Sequence, residues 1–252
     1  MRFSFLAVLA VVAAAPGAAA QTAAEHVSMG NRDYAAMDAP SALSHYEKAI
    51  AADPENYDAQ WRASRSAVDI GSYLPDASRR SAIYANAERY ARKAVAIRPS
   101  DAEGHFSLAR ALGKTALTKS PRGRVKYGTE IHATALECLR IAPRHGGCLH
   151  VMGMWNAEIM RLNAVTRMVA KNIPGGRVFG AANWKDAVRY MEQAVGAESD
   201  RVVHYSDLGE VYRDAGDLAK ARTAFETALR LPNTDVNDVH YKAQARAGLR
   251  SL

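Results

Sequence analysis

Beyond the first twenty residues, apolar positions recur at spacings of three and four, and strand-like alternation is hard to find. Such spacing lines side chains along one face of a 3.6-residue helix, so the chain is predicted to be all-α. The first twenty residues depart from this pattern. Arg2 is their only charge, 3–15 is an apolar run, Pro16-Gly17 interrupts it, and Ala18-Ala19-Ala20 supplies small residues before Gln21. That order predicts a secretory signal peptide over 1–20, cleaved after Ala20, and an exported chain, periplasmic or secreted. The run is short for a bilayer span, and no later stretch is long and apolar enough to make one. The processed chain is therefore not expected to be an integral membrane protein.

The helical pattern repeats. Its clearest copy, 202–232, reads Tyr205-x-x-Leu208-Gly209-x-x-Tyr212, then Gly216-Asp217, Ala221-x-x-x-Phe225, Ala228-Leu229 and Pro232. The small residues Gly209, Ala221 and Ala228 allow two antiparallel helices to approach. Tyr205, Leu208, Tyr212 and Phe225 fill the layer between them, and Pro232 cannot continue the second helix. This order of residues resembles the tetratricopeptide repeat. Weaker copies come before it. One has Met29-Gly30, Ala42-x-x-x-Tyr46, Ala49 and Pro54. The next has Trp61, Ala87-x-x-x-Ala91, Ala94 and Pro99. A third has Leu108-Ala109, Ile131-x-x-x-Ala135, Cys138 and Pro143. The fourth has Leu149-x-x-Met152-Gly153, Ala187-x-x-x-Met191 and Ala194, with Ser199 in place of the proline. The predicted architecture over 21–252 is a helical-repeat superhelix of about five helix pairs, at 22–54, 57–99, 101–143, 146–199 and 202–232. A capping helix over 235–251 follows, with Val236, Val239, Ala243 and Leu249 as its apolar face.

The repeats are not equal. Pro54 to Pro99 spans 45 residues, Pro99 to Pro143 44, Pro143 to Ser199 56, and Ser199 to Pro232 33. Only the last is near the usual period of about 34. Extra residues are expected at 71–86, 114–126 and 164–183, partly as longer helices over 77–97 and 121–141. Ser100-x-x-Glu103 is predicted to be a capping box, and Ser120-Pro121 a capping serine before a first-turn proline.

Composition changes the picture modestly. The full chain carries a formal charge of +7, and loss of Arg2 with the leader leaves it near +6, a hint of an anionic partner. Two basic stretches fall on or beside the extra segments. One runs from Arg110 to Lys126. The other holds Arg161, Arg167, Lys171, Arg177 and Lys185, interleaved with Met168, Phe179 and Trp184. Seven residues of the second stretch, Arg161, Arg167, Met168, Lys171, Arg177, Phe179 and Trp184, are the predicted ligand-binding set, suited to an anionic amphiphile or an acidic peptide. Cys138 and Cys148 lie ten residues apart across a predicted helix–turn–helix. They could face each other as a disulfide, but two small buried apolar side chains are the favoured reading. His145, Cys148 and His150 could offer a metal two imidazoles and a thiolate, at a spacing that matches no metal-site pattern; no metal is assigned. No nucleophile elbow, phosphate-binding glycine loop, His-Glu-x-x-His or Cys-x-x-Cys occurs, so no catalytic residue and no cofactor is assigned.

A second resemblance lies in three segments: Trp61-Arg62-Ala63-Ser64-Arg65-Ser66, Leu149-His150-Val151-Met152-Gly153-Met154-Trp155, and Asn183-Trp184-Lys185-Asp186-Ala187-Val188-Arg189-Tyr190. These are similar to stretches of the regulator of microtubule dynamics family, over about 25–245. The resemblance implies a tetratricopeptide-like domain. In eukaryotic relatives it implies association with microtubules and, in one branch, a bound phospholipid. Export would separate this chain from microtubules and from nucleic acid. The function expected is a non-enzymatic scaffold for a protein or peptide partner. The alternative is a carrier of anionic lipid or another amphiphile.

Overall fold

The computed structural model describes residues 22–252; the expected signal peptide lies outside them. Twelve α-helices follow one another, and no strand occurs among the described residues. They pair as α1 (Ala23–Ala35) with α2 (Ala39–Ala52), α3 (Tyr57–Ser72) with α4 (Ala77–Ile97), and α5 (Ala102–Ala116) with α6 (Pro121–Ile141). α7 (Gly146–Arg161) pairs with α9 (Trp184–Ala197), across an intervening α8 (Ala164–Asn172) and a 3-10 turn (Gly176–Ala181). α10 (Val202–Ala215) pairs with α11 (Leu218–Arg230), and α12 (Asp238–Arg250) closes the chain.

Most helix starts are set by a side-chain oxygen that accepts one of the N–H groups the first turn leaves without a partner. Asp38, Asn56, Asp76, Asn163, Asn183 and Asp217 each do so. Ser120 caps α6 with Pro121 in its first turn, as its sequence predicts. Thr22 and Glu25 form a reciprocal capping box on α1. The box predicted at Ser100 does not form. Asp101 caps α5 instead, accepting from the Glu103 N–H at 3.0 Å. Its carboxylate is the stronger acceptor, and Glu103 is left to face His145.

Within the pairs, a small residue on the first helix meets a large one on the second. A Cβ on Gly30 would lie 2.6 Å from the Tyr46 ring. At Gly71 it would meet Tyr84 at 2.4 Å, at Gly153 Met191 at 2.5 Å, and at Gly209 Phe225 at 2.4 Å. The third pair uses Ala109 and Ala135. Tyr46, Met191 and Phe225 are fully buried, as are Ala221 and Ala228; Leu208 and Tyr212 are buried and Tyr205 packs partly buried beside them. Gly216, at φ 91°, turns the chain from α10 into α11 in the left-handed region where a Cβ is unfavourable.

Two of the three extra segments are helix extensions. α4 and α6 have 21 residues against 14 in α2 and α9, which makes them about 10 Å longer. Only the third, between α7 and α9, builds separate structure. The first helices of successive pairs, α1, α3, α5, α7 and α10, touch one another along the chain and form the inner side of the array.

α12 corrects the sequence reading. Its buried positions are Asp238, Ala245 and Gly248, while Val239 and Ala243 face solvent. Leu249 packs on the C-terminal core as expected, with Tyr241 beside it, but Val239 and Ala243 do not, because the start of this helix is seated on polar side chains.

The cysteines also differ from the favoured reading. Cys138 on α6 and Cys148 on α7 form a disulfide, with Cα atoms 6.3 Å apart. The turn through Pro143 and Gly146 brings the helix ends together closely enough for the pair to bond.

Candidate functional site: the inner groove and the third extra segment

The third extra segment does not gather the seven side chains assigned to a ligand. Phe179 is buried against Trp155, and its ring fills the space that a side chain at Gly128 would need. It belongs to the core around Val68, Leu112 and Ile131. Trp184 packs partly into the C-terminal core and borders an open depression of about 450 Å³ with Val188 and Lys220. Arg161 is held between Asp214 of α10 at 2.6 Å and Glu158 at 2.5 Å. Arg167 reaches back to the Met160 carbonyl at 3.4 Å. Lys171 and Arg177 are exposed. What the segment offers is an apolar ridge on α8, where Val165, Met168 and Val169 are 67%, 60% and 52% exposed. The sequence placed aromatic and basic residues in one neighbourhood; burial then divided them between core and surface.

The cluster weighed for a metal is divided as well. The His145 Nδ1 accepts the Cys148 N–H at 3.2 Å and starts α7, while His150 turns to α10. The metal-ligating atoms that converge are those of Cys138, His145 and Cys148, all within 4.8 Å of one another. With the two sulfurs joined, neither is available as a thiolate.

The groove between the first helices holds most of the buried ionic chemistry. Asp69 on α3, fully buried, accepts from Arg110 of α5 at 2.5 Å and from the Tyr34 hydroxyl of α1 at 2.8 Å. The Arg65 guanidinium lies 3.5 Å over the Tyr34 ring and 5.2 Å over Trp61, with no carboxylate within ion-pair distance among the described residues. Burial and the neighbouring Arg110 hold the Lys114 ammonium below its ordinary range. Desolvation and the Asp69 charge push the Tyr34 phenol well above its own.

Two histidines connect α7 to α10. His150 Nε2 lies 3.1 Å from Asp207, its Nδ1 lies 2.8 Å from the His204 Nδ1, and His204 Nε2 lies 3.1 Å from Glu198. Burial and the neighbouring His150 hold the His204 imidazole down to about 4, against the pull of Glu198. The His204 hydrogen bond lowers the Glu198 carboxyl. For Asp207 burial works upward, but the His150 hydrogen bond and charge outweigh it and the carboxyl sits low.

The groove is not empty. After Pro232 the chain crosses it before entering α12. Asp235 is paired with Arg201 at 3.2 Å, and the Asn237 side chain donates to Asp69, 168 residues away in sequence, at 3.2 Å. The His240 ring stacks on Tyr73 of α3 with centroids 3.5 Å apart. The turn holds its own shape. Asp238 accepts the Thr234 and Asp235 N–H groups at 2.7 and 2.8 Å, and Asp235 accepts that of Asn237 at 3.0 Å. Further along, Gln244 donates to Asp207 and the Ser206 hydroxyl to the Tyr241 carbonyl. Sequence reasoning missed this site, because no local pattern tells that Asp69, Arg110, Arg201 and Asn237 meet.

The family description that matches this sequence is regulator of microtubule dynamics protein 1-3, over residues 26–252. The chain belongs to that family. The groove and the segment crossing it both lie inside the matched stretch. Among solved structures, the chain is similar to a thermophilic tetratricopeptide protein of Thermus thermophilus. Identity is 18%, the TM-score is 0.62, and 90% of this chain and 99% of that chain are covered. It is also similar to MamA of Desulfovibrio magneticus RS-1, at 13% identity and TM-score 0.47, covering 83% of this chain and 94% of that one. No curated protein matches at the sequence level. Family and fold are therefore of the tetratricopeptide type. The segment beginning at Trp61, one of the three behind the sequence resemblance, is the one that carries Arg65 to the Tyr34 ring.

Proposed function

We propose that this family member is an exported, non-enzymatic scaffold that recognises a protein or peptide partner on its inner groove. One observation carries this reading. Tyr34 of α1, Arg65 and Asp69 of α3, Arg110 of α5 and Arg201 at the start of α10 come from four repeats to one surface, and that surface already makes side-chain-specific contacts with a stretch of polypeptide. A groove that reads main chain and side chains of its own C-terminal region has the chemistry to read another chain's. Nucleic acid is not the proposed partner.

The disulfide supports export, since such bonds persist in oxidising compartments. Fractionation of cells expressing the full chain, with sequencing of the mature N-terminus, tests this. A cytosolic protein still carrying 1–20 would refute export. The scaffold reading is tested with a peptide array and the purified protein, followed by amide hydrogen exchange. Bound peptides are expected to protect α3, α5 and α10; protection confined to the outer helices would exclude the groove.

A second reading has its own observation. The Val165, Met168 and Val169 ridge, with Lys171 beside it, suits the surface of an anionic bilayer or a single amphiphile. Sedimentation with phosphatidylserine-containing vesicles is expected to retain the protein and to lose it on Met168→Asp. Equal retention on neutral vesicles would remove the electrostatic part.

A further inference from the structure

The segment crossing the groove has a composition opposite to that of the wall it touches. Over 233–238 it brings Asp235 and Asp238 and no cation. The wall contributes Arg65, Arg110, Lys114 and Arg201 against the carboxylates of Asp69 and Asp207. The wall is therefore cationic without the segment and closer to neutral with it. The segment's hold is mostly polar: one ion pair, one side-chain hydrogen bond to Asp69, one bond from the Ser206 hydroxyl to the Tyr241 carbonyl and one stacked ring pair, each replaceable by water or another ligand. Val236 is only partly buried, Val239 is 53% exposed, and Pro232, Asn233 and Thr234 are exposed, so the apolar surface that holds the segment is chiefly the Tyr241 ring at its end, which packs on the C-terminal core.

We propose that the inner groove is a binding site for an extended acidic peptide bearing an aspartate, and that residues 233–241 of this chain are its internal occupant, displaced when such a partner binds. This inference rests on the scaffold reading above and adds the partner's chemistry and its competition with the chain's own segment. The incoming aspartate takes the place of Asp235 on Arg201. A polar side chain two residues on takes the place of Asn237 at Asp69. Arg65 and Lys114, which form no ion pair among the described residues, accept further negative charge that the resident segment does not supply.

The experiment uses the full chain and a labelled, acetylated synthetic peptide copying 231–241, followed by fluorescence anisotropy. A version with both aspartates replaced by asparagine is the control. Asn237→Ala/His240→Ala loosens the segment and leaves the wall intact. This variant is expected to bind the acidic peptide at least tenfold more tightly than the unaltered protein does. It should bind the neutral peptide at least tenfold more weakly than the acidic one, and lose affinity as salt rises. Adding Arg201→Gln should abolish the gain. Hydrogen exchange should show 233–241 deprotected in the loosened variant. Continued protection of 233–241, or equal binding of acidic and neutral peptides, would overturn the proposal. The scaffold reading fails separately. If the loosened variant protects α3 and α5 only with non-acidic array peptides, acidic preference falls and the scaffold stands. If no peptide protects them although 233–241 is free, both fall. Should the double variant not fold by circular dichroism, His240→Ala alone carries the same comparisons.

Discussion

Between α10 and α11, the Phe225 ring closes on Gly209 from one side and Gly248 of α12 from the other, with no polar atom in the contact. In the groove, Asp69 binds Arg110, Tyr34 and Asn237, and every contact is a hydrogen bond between side chains. The first arrangement joins residues near in sequence and excludes water. The second joins residues up to 168 positions apart and depends on charges that water could also satisfy. Apolar layers give each repeat its stability; the polar groove decides how the array closes on itself. Buried ion pairs are poor sources of net stability, because desolvation offsets their attraction, yet they are demanding about geometry. Stability and specificity thus sit in different parts of this molecule.

Five measurements would break or sharpen that contrast. Phe225→Ala removes a fully buried ring that serves two helix contacts and is expected to cost about 3–5 kcal/mol in urea unfolding. Asp69→Ala leaves Arg110 without its buried partner and is expected to cost about 2–4 kcal/mol, below the top of the range because Arg110 is partly exposed. If Asp69 proves the more costly of the two, stability does not reside mainly in the repeat layers. Cys138→Ser with Cys148→Ser removes a short covalent loop between the third and fourth pairs. A loss of about 2–3 kcal/mol in urea unfolding should be matched by adding reductant to the native protein.

Acid probes the groove side of the contrast. His204 is held down to about 4 in the folded chain, so the unfolded chain, titrating near its ordinary 6.5, takes up a proton first. Stability is then level above about pH 6.5 and falls as pH drops from there toward 4. The lowered carboxyls of Glu198 and Asp207 add to the loss below their ordinary range. A loss of about 1–2 kcal/mol between pH 7.5 and 5 is expected, and His204→Gln should flatten it. A flat wild-type profile would show that burial does not hold this imidazole neutral. The smallest effect belongs to α8, where Val165→Ser should change stability by less than about 0.5 kcal/mol, because the side chain touches little. A larger loss would mean that the ridge is covered in solution.

The helix pairs were legible because a repeat is a local object. Tyr205, Leu208, Gly209, Tyr212, Ala221 and Phe225 lie within one short stretch, and the spacing of apolar and small residues follows from the helix period itself. Capping was legible where the residue stood alone, as at Ser120, and misjudged where two acceptors adjoined, as at Ser100 and Asp101. The seven residues on and beside the third extra segment are close in sequence, but they do not share one surface. Their division into buried Phe179, paired Arg161 and exposed Met168 depends on which face α6, α7 and α10 cover.

By itself, then, the sequence determined the all-α class, the paired register, the unequal repeats and the similarity that makes this chain a member of its family. Each of these follows from side chains a few residues apart, whose positions the helix fixes. The tertiary structure alone decided that Cys138 meets Cys148, that α12 buries Asp238 while Val239 faces solvent, and that Asn237 reaches Asp69. The first depends on how one turn sets two adjacent helices, and the others on how the five pairs are arranged together, which brings Asn237 after the last pair to Asp69 of the second. No single stretch of sequence carries that arrangement.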